Sequence, residues 1–460
     1  MKKQWAVAGA IVLGALGGWN RVTADELADR LSQLEQRQNV LERKYEVDQE
    51  NAANKAKDTA LANAGGKDGF GVKSPDGAFV LKWYGDVQAD GRFFLKDGSH
   101  GVTSSLTDTF LLRRLRPGVE VTLNKWITGR LQPNFGNGGA TLDDAYANLA
   151  FRPAAQLRVG RFKPPVGLEN LRSSARLTFV ERALPTGLVP NYDLGVQLWG
   201  ELGGGRAAYA VSATNGAADG ANIDGADTTD RKDFAARVFL TPLKNSPNPS
   251  LAGLGVGLAG STGRQVGSAS SPGLTAGYKT HGQNTFFAYQ GRAVADGNRT
   301  RWSPQLTWFS GPWALLGEHV TSRQTVRSTV TLVTADLIQR SWQVAASYVL
   351  TGEDATDKGV KPRHPYEPGN PGWGAWEIAA RFAQFTAGRS VFDKVGANTS
   401  FASAAASARS ARSFSAGLNW YATQSVKWQT DFETTSFDGG ATGGNRPVER
   451  ALLTRIQLSY

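Results

Sequence analysis

Side chains alternate between apolar and polar with a period of two through most of this chain, and few folds accept that pattern over such a length. In the last ten residues, Leu452, Thr454, Ile456, Leu458 and Tyr460 fall on one face of a strand, and Leu453, Arg455, Gln457 and Ser459 on the other. The pattern recurs. Leu81, Trp83, Val87, Ala89 and Phe93 oppose Lys82, Asp86, Gln88, Asp90 and Arg92; Phe234, Ala236, Val238 and Leu240 oppose Asp233, Ala235, Arg237 and Phe239. Trp376, Ile378, Ala380 and Phe382 oppose Glu377, Ala379, Arg381 and Ala383. A soluble sandwich alternates in some strands. It does not combine this with many tryptophans on the apolar face and a final strand ending flush on an aromatic residue. Those features fit a transmembrane β-barrel, apolar toward lipid and polar toward its lumen.

Sixteen segments carry the pattern, near 79–95, 108–123, 126–135, 141–151, 156–163, 193–202, 206–214, 232–242, 252–263, 299–309, 313–323, 337–350, 374–387, 410–421, 425–437 and 448–460. The even number predicts an all-β, antiparallel barrel with both termini in the periplasm. Residues 124–125, 152–155, 203–205, 310–312 and 422–424 read as short periplasmic turns, and 164–192, 215–231, 264–298 and 388–409 as long external loops. The connection 351–372 is long on the short-turn side, so it has a special task or the strand count is off by a pair.

Ahead of the barrel domain, 79–460, three regions are expected. Residues 1–24 read as a secretory signal peptide: Lys2 and Lys3, an apolar stretch from Ala6 to Leu16, then small residues at Val22-Thr23-Ala24. Residues 25–58 place Leu27, Leu31, Leu34, Gln38, Leu41 and Tyr45 at heptad positions, which predicts a short periplasmic coiled coil and self-association, expected as a homotrimer. Residues 59–78 read as a linker. No later stretch approaches the roughly 18 continuous apolar residues of a spanning helix. The chain has no cysteine, hence no disulfide framework and no thiolate metal site. Export and a barrel together place it in the Gram-negative outer membrane, with its lipid and lipopolysaccharide as surroundings.

Removing Lys2, Lys3 and Arg21 with the signal peptide lowers the formal charge from +11 to +8. Such an excess suits nucleic acid, anionic lipid or anionic solutes, and where the arginines lie decides between them. Parity puts Arg92, Arg114, Arg116, Arg130, Arg158, Arg237, Arg301, Arg381 and Arg455 inside the lumen, with acids including Asp86, Asp90, Glu120, Asp144, Glu377, Asp431 and Glu433. That favours small anions and no nucleic acid. Arg113 is left on the lipid side, where a charge costs roughly 2–4 kcal/mol at mid-membrane. It must lie near the strand end, at a subunit contact or across a bulge; Arg161 meets a similar conflict. The four histidines, His100, His281, His319 and His364, form no nucleophile–base motif, so no catalytic residue, cofactor or resident metal is expected.

Several motifs resemble the phosphate-selective porin O/P family: Arg113-Arg114-Leu115-Arg116-Pro117, Leu142-Asp143-Asp144-Ala145-Tyr146, and Val159-Gly160-Arg161-Phe162-Lys163-Pro164-Pro165-Val166-Gly167-Leu168-Glu169. Phe179-Val180-Glu181-Arg182, Tyr348-Val349-Leu350-Thr351-Gly352-Glu353 and Gly374-Ala375-Trp376-Glu377-Ile378 continue the series in the family's order. The resemblance implies a sixteen-stranded trimeric porin with two external loops and one long periplasmic turn folded into the lumen. It implies a constriction at Arg113, Arg114 and Lys163, joined by Arg116 and by Arg172 and Arg176 of the loop 164–192. The inward turn would bring Lys358, Lys361 and Arg363. Two departures stand out. Pro164-Pro165-Val166-Gly167 replaces the small hydroxyl residues expected after the loop lysine, and the loop after strand nine is rich in Gly and Ser, not arginine. The expected function is passive diffusion of small anions, phosphate or polyphosphate foremost. The alternatives are a wide, weakly selective porin and a barrel that tethers the envelope.

Overall fold

The computed structural model describes residues 24–58, 61–64, 70–95, 106–223, 230–395 and 400–460. The signal-peptide reading, apart from Ala24, and His100 lie outside the described residues. Two units are distinct, Met1–Ala60 and Leu61–Tyr460. The described part of the first is one helix, Ala24–Asp58, with Asp25 and Glu26 in its first turn, where carboxylates meet the positive end of the helix dipole. Leu31, Leu34, Leu41 and Tyr45 stand exposed along it in the single chain.

The second unit is a closed antiparallel barrel. In chain order its strands are β1 (Val80–Phe94), β2 (Thr109–Leu123), β3 (Ile127–Asn134), β4 (Thr141–Arg152), β5 (Ala155–Phe162), β6 (Asp193–Leu202), β7 (Ala207–Thr214) and β8 (Asp233–Leu240). They continue as β9 (Leu254–Val266), β10 (Ala293–Ser310), β11 (Trp313–Ser328), β12 (Thr334–Val349), β13 (Ala375–Ala387), β14 (Ala408–Tyr421), β15 (Val426–Ala441) and β16 (Glu449–Ser459). Each strand pairs with its sequence neighbours, and β16 returns to β1 from Ala451 against Phe94 to Ser459 against Asp86. All sixteen expected strands are present, so 351–372 is a genuinely long turn and not a miscount. Part of the expected linker is ordered differently: Leu61–Ala64 pairs with Phe70–Lys73, which adds to the start of β1. Polar and apolar residues still alternate there, in Gly71-Val72-Lys73, which suffices for local pairing.

Period-two alternation sets the two faces. Along β16, Leu452, Ile456 and Leu458 are exposed outward while Leu453, Arg455 and Gln457 are buried inward. One end of the barrel has tight turns. Asn124 and Lys125 both take positive φ, the geometry of a two-residue primed hairpin that matches strand twist. The opposite end carries the long loops. In such barrels the short-turn end faces the periplasm.

The lumen is not empty. Loop 163–192 runs inside it, and an apolar cluster fills the long-loop end: Leu184, Leu188 and Val189 pack with Phe286 and Phe287 of the β9–β10 loop and with Val320, Leu337, Phe385 and Phe437 of the wall. The turn after β12 tucks inward as well, with Ala355 and Val360 buried against Val349, Ala375 and Tyr421.

Candidate functional site

Backbone register resolves the Arg113 conflict. Gln88 of β1 opposes Arg114, but the next residue, Ala89, opposes Leu112. Arg113 is therefore the extra residue of a β-bulge, which turns it off the lipid face. Its Nε donates to Glu181 Oε1 at 2.6 Å and its Nη2 to Glu181 Oε2 at 3.3 Å. Arg161 follows Gly160, whose φ of 127° few other residues adopt. It is buried, and its Nε donates to the Leu142 carbonyl at 2.5 Å.

Loop 163–192 lies along one side of the inner wall, held by its main chain. Gln457 donates to Ala175 O at 2.9 Å, Lys427 to Leu177 O at 2.8 Å, and Asn419 to Thr178 O at 2.8 Å. Arg455 donates to Val180 O at 2.5 Å and Arg381 to Glu181 O at 2.8 Å. The amides of Val180 and Leu168 donate to Asp431 and Glu318, each at 2.6 Å. A loop buried in a lumen has few backbone partners of its own, so strand side chains supply them.

That seating divides the cations into two classes. The first class is neutralised. Arg116 meets Asp86 at 2.7 Å and Asp143 at 3.5 Å, and Arg455 meets Asp90 at 2.7 Å. Arg381 meets Glu433 at 3.1 Å and Arg301 meets Asp219 at 2.7 Å. Arg92 and Arg113 share Glu181, at 2.8 and 2.6 Å. Burial alone raises the Glu181 carboxyl, but Arg113, Arg114 and Arg92 outweigh it and hold the group well below the usual carboxylate range. Of the expected constriction triad, then, Arg113 is already occupied by a carboxylate that the loop brings.

The second class has no carboxylate within ion-pair distance among the described residues. Arg114 donates only to Gln88, at 2.7 Å, and is buried. Lys163 donates to the carbonyl and side-chain oxygens of Asn170 at 2.7 and 3.2 Å, with its ammonium 5.0 Å from the Tyr192 ring centre. Arg182 donates to the carbonyls of Glu169 and Arg172 at 3.1 and 2.8 Å. Burial, then repulsion from Arg182, Arg116 and Arg114, pushes Lys163 well below the ordinary lysine value.

The other expected residues lie apart from this cluster. Arg172 reaches the inward turn, 3.2 Å from Asp357. Arg176 is exposed. Lys358, Lys361 and Arg363 are exposed on the turn, and Arg363 caps the Gly352 carbonyl at 2.7 Å. Arg130, Arg158 and Arg237 are half-buried on β3, β5 and β8. Parity counting could assign strand acids, but not Glu181 or Asp219, which come from loops. Only its place beside Arg182 in Phe179-Val180-Glu181-Arg182 marked Glu181.

A family model described as phosphate-selective porin O and P matches residues 81–452. Porin O of Pseudomonas aeruginosa is 25% identical over 421 residues, covering 86% of this chain and 91% of that protein. Among solved structures, OprB of Pseudomonas putida superposes with a TM-score of 0.52 at 11% identity, over 83% of this chain and 94% of OprB. The outer-membrane channel DcaP of Acinetobacter baumannii gives 0.51 at 11% identity, over 87% of this chain and all (100%) of DcaP. These likenesses concern the fold.

Proposed function

This chain belongs to the phosphate-selective porin O and P family, and on that premise we propose that it is an anion-preferring diffusion channel of the outer membrane, with inorganic phosphate and polyphosphate as preferred solutes. One observation carries this reading: Arg114, next to the Arg113 that holds Glu181, is buried, Lys163 and the Arg182 that follows Glu181 are half-buried, and none of the three has a carboxylate within ion-pair distance among the described residues. Like charges gathered in a region shielded from water strengthen the field that a passing anion meets. A phosphate can take donors from the guanidinium fork and the ammonium. Conduction also requires that the anion leave again, and like-charge repulsion that depresses Lys163 limits how much charge the site can hold. Porins conduct and do not catalyse, so no step of bond chemistry enters.

The channel is expected to work as a homotrimer in an envelope of lipid and lipopolysaccharide, with Ala24–Asp58 as a periplasmic coiled coil. Four apolar side chains, Leu31, Leu34, Leu41 and Tyr45, exposed along that helix support this part. Its check is the native mass of the full chain in mild detergent, with and without Leu34→Asp.

The test of the channel reading is a planar-bilayer reversal potential across a KCl gradient, followed by phosphate titration. The expected result is an anion-selective potential with phosphate blocking the chloride current. Arg114→Gln with Lys163→Gln should collapse both; unchanged permeability ratios would remove these residues from the constriction.

A further inference from the structure

The wall opposite the seated loop carries an arginine of another kind. Arg158 of β5 has neither an ion-pair nor a hydrogen-bond partner among the described residues, and its Nε is buried without one. Three rings surround its guanidinium instead: Tyr146 of β4 at 4.3 Å, Trp199 of β6 at 5.2 Å and Phe162 at 5.9 Å. The Trp199 indole is fixed in place. Its Nε1 donates to Asn148 at 2.8 Å, and Asn148 donates in turn to Gln156 at 3.1 Å. Arg158, Tyr146 and Trp199 all keep part of their surface open to the lumen. The neighbouring pair is built differently. Arg130 stacks on Tyr84 at 4.5 Å but is balanced by Asp144 at 3.3 Å.

We propose that Arg158, Tyr146 and Trp199 form a binding site for small aromatic carboxylates, separate from the constriction. Arg158 lies five residues before Lys163, roughly 16 Å along an extended strand, on the short-turn side. Ring contact leaves the edge of a guanidinium free to donate, and that edge matches a carboxylate. A compact hydrated anion gains nothing from the rings. An arene carboxylate can place its charge on Arg158 while its ring meets the open parts of Trp199 and Tyr146 edge to face. Fixing the indole beforehand lowers the ordering cost of that contact. This inference does not depend on the phosphate reading, which rests on other residues.

The experiment uses the full chain in planar bilayers, with chloride current recorded while potassium benzoate, potassium acetate or phosphate is added. Benzoate should reach half-block at about fivefold lower concentration than acetate, the scale of one aromatic contact. Trp199→Ala should bring the two together while the KCl reversal potential and phosphate block stay unchanged. Arg158→Gln should weaken block by both carboxylates. Trp199→Phe, which keeps a ring with less disturbance, should retain part of the benzoate preference if the alanine variant does not fold. Equal block by benzoate and acetate in the unaltered channel would overturn the proposal. So would a benzoate preference that survives Arg158→Gln. Absence of phosphate block in the unaltered channel, with the benzoate preference intact, would count against the constriction and leave this site standing.

Discussion

The two sides of the barrel wall share one alternation, yet their arginines have opposite surroundings. On β13, β15, β16 and β1, the inward residues Arg381, Asp431, Arg455 and Asp90 are buried, and they interlock with one another or with loop 163–192. On β5 and β8, Arg158 and Arg237 stay half-open and lean on the rings of Tyr146 and Phe239 with no carboxylate within ion-pair distance among the described residues. The first side positions a loop; the second faces what passes. The difference teaches that a lumen arginine says little about selectivity until its partner is known. A guanidinium closed onto a carboxylate adds almost no net field, whereas one resting on a ring keeps its charge.

The strongest way to break this comparison is to unpair a buried cation on the loop-bearing side. Asp90→Ala takes from Arg455 its 2.7 Å partner and leaves it only Glu181 at 3.9 Å, and the side chains of Asp90 and Arg455 are fully (0%) enclosed. The expected loss is about 3 kcal/mol, because a buried charge is left poorly compensated. It would be read as a lower temperature for loss of the folded band on detergent gels. If the transition does not move, the pair is not structural. Next comes Glu181→Gln, which removes the negative charge shared by Arg92 and Arg113. The reversal potential should shift further toward anions, and a shift toward cations would refute the neutralising role. Because arginines hold the Glu181 carboxyl low, its stabilising contribution is complete above the ordinary glutamate value of about 4.3. It is lost only as pH falls through the depressed folded value. Glu181 should thus add no change in selectivity between neutral pH and about 4.5.

Lys163 sharpens the comparison from the alkaline side. Its ammonium is pushed down by burial, so its charge should be lost below the ordinary lysine value of about 10.4. Anion preference should fall as pH rises through that lowered value, and Lys163→Arg should keep it. An identical pH profile for the two channels would show that this cation does not set the preference. The smallest effect belongs to the open side. Arg237 donates to Gln305 at 3.0 Å and stacks on Phe239 at 4.8 Å, so Arg237→Gln should cost no more than about 1 kcal/mol in stability. Its conductance should drop in dilute salt and recover in concentrated salt, where screening removes the difference.

Much of this architecture was legible in the alternation. Leu452, Ile456 and Leu458 against Arg455 and Gln457 announce two faces without any neighbour being known. Sixteen strands and a long connection at 351–372 that breaks the turn rule followed from the same reading, while its inward folding was what the family resemblance implied. The site was less legible, for two physical reasons. A single inserted residue at Arg113 flips a side chain across the sheet, and parity counting has no means of seeing one insertion. Lys427, Asn419 and Gln457 lie on the lumen face of their strands, yet each spends a donor on a loop carbonyl. The identity of such a partner depends on where a loop lies, and that is a long-range fact.

That same seating has a consequence for the order of assembly. The carbonyls from Ala175 to Glu181 are received by side chains 200 to 282 residues further along the chain, on strands that complete the sheet. No shorter portion of the barrel offers the full row of donors. The narrow part of the channel therefore cannot be a template around which the wall collects. The seated loop takes its final course only once the C-terminal strands are in place, so a chain stalled before they close would lack both a sealed wall and the loop inside it.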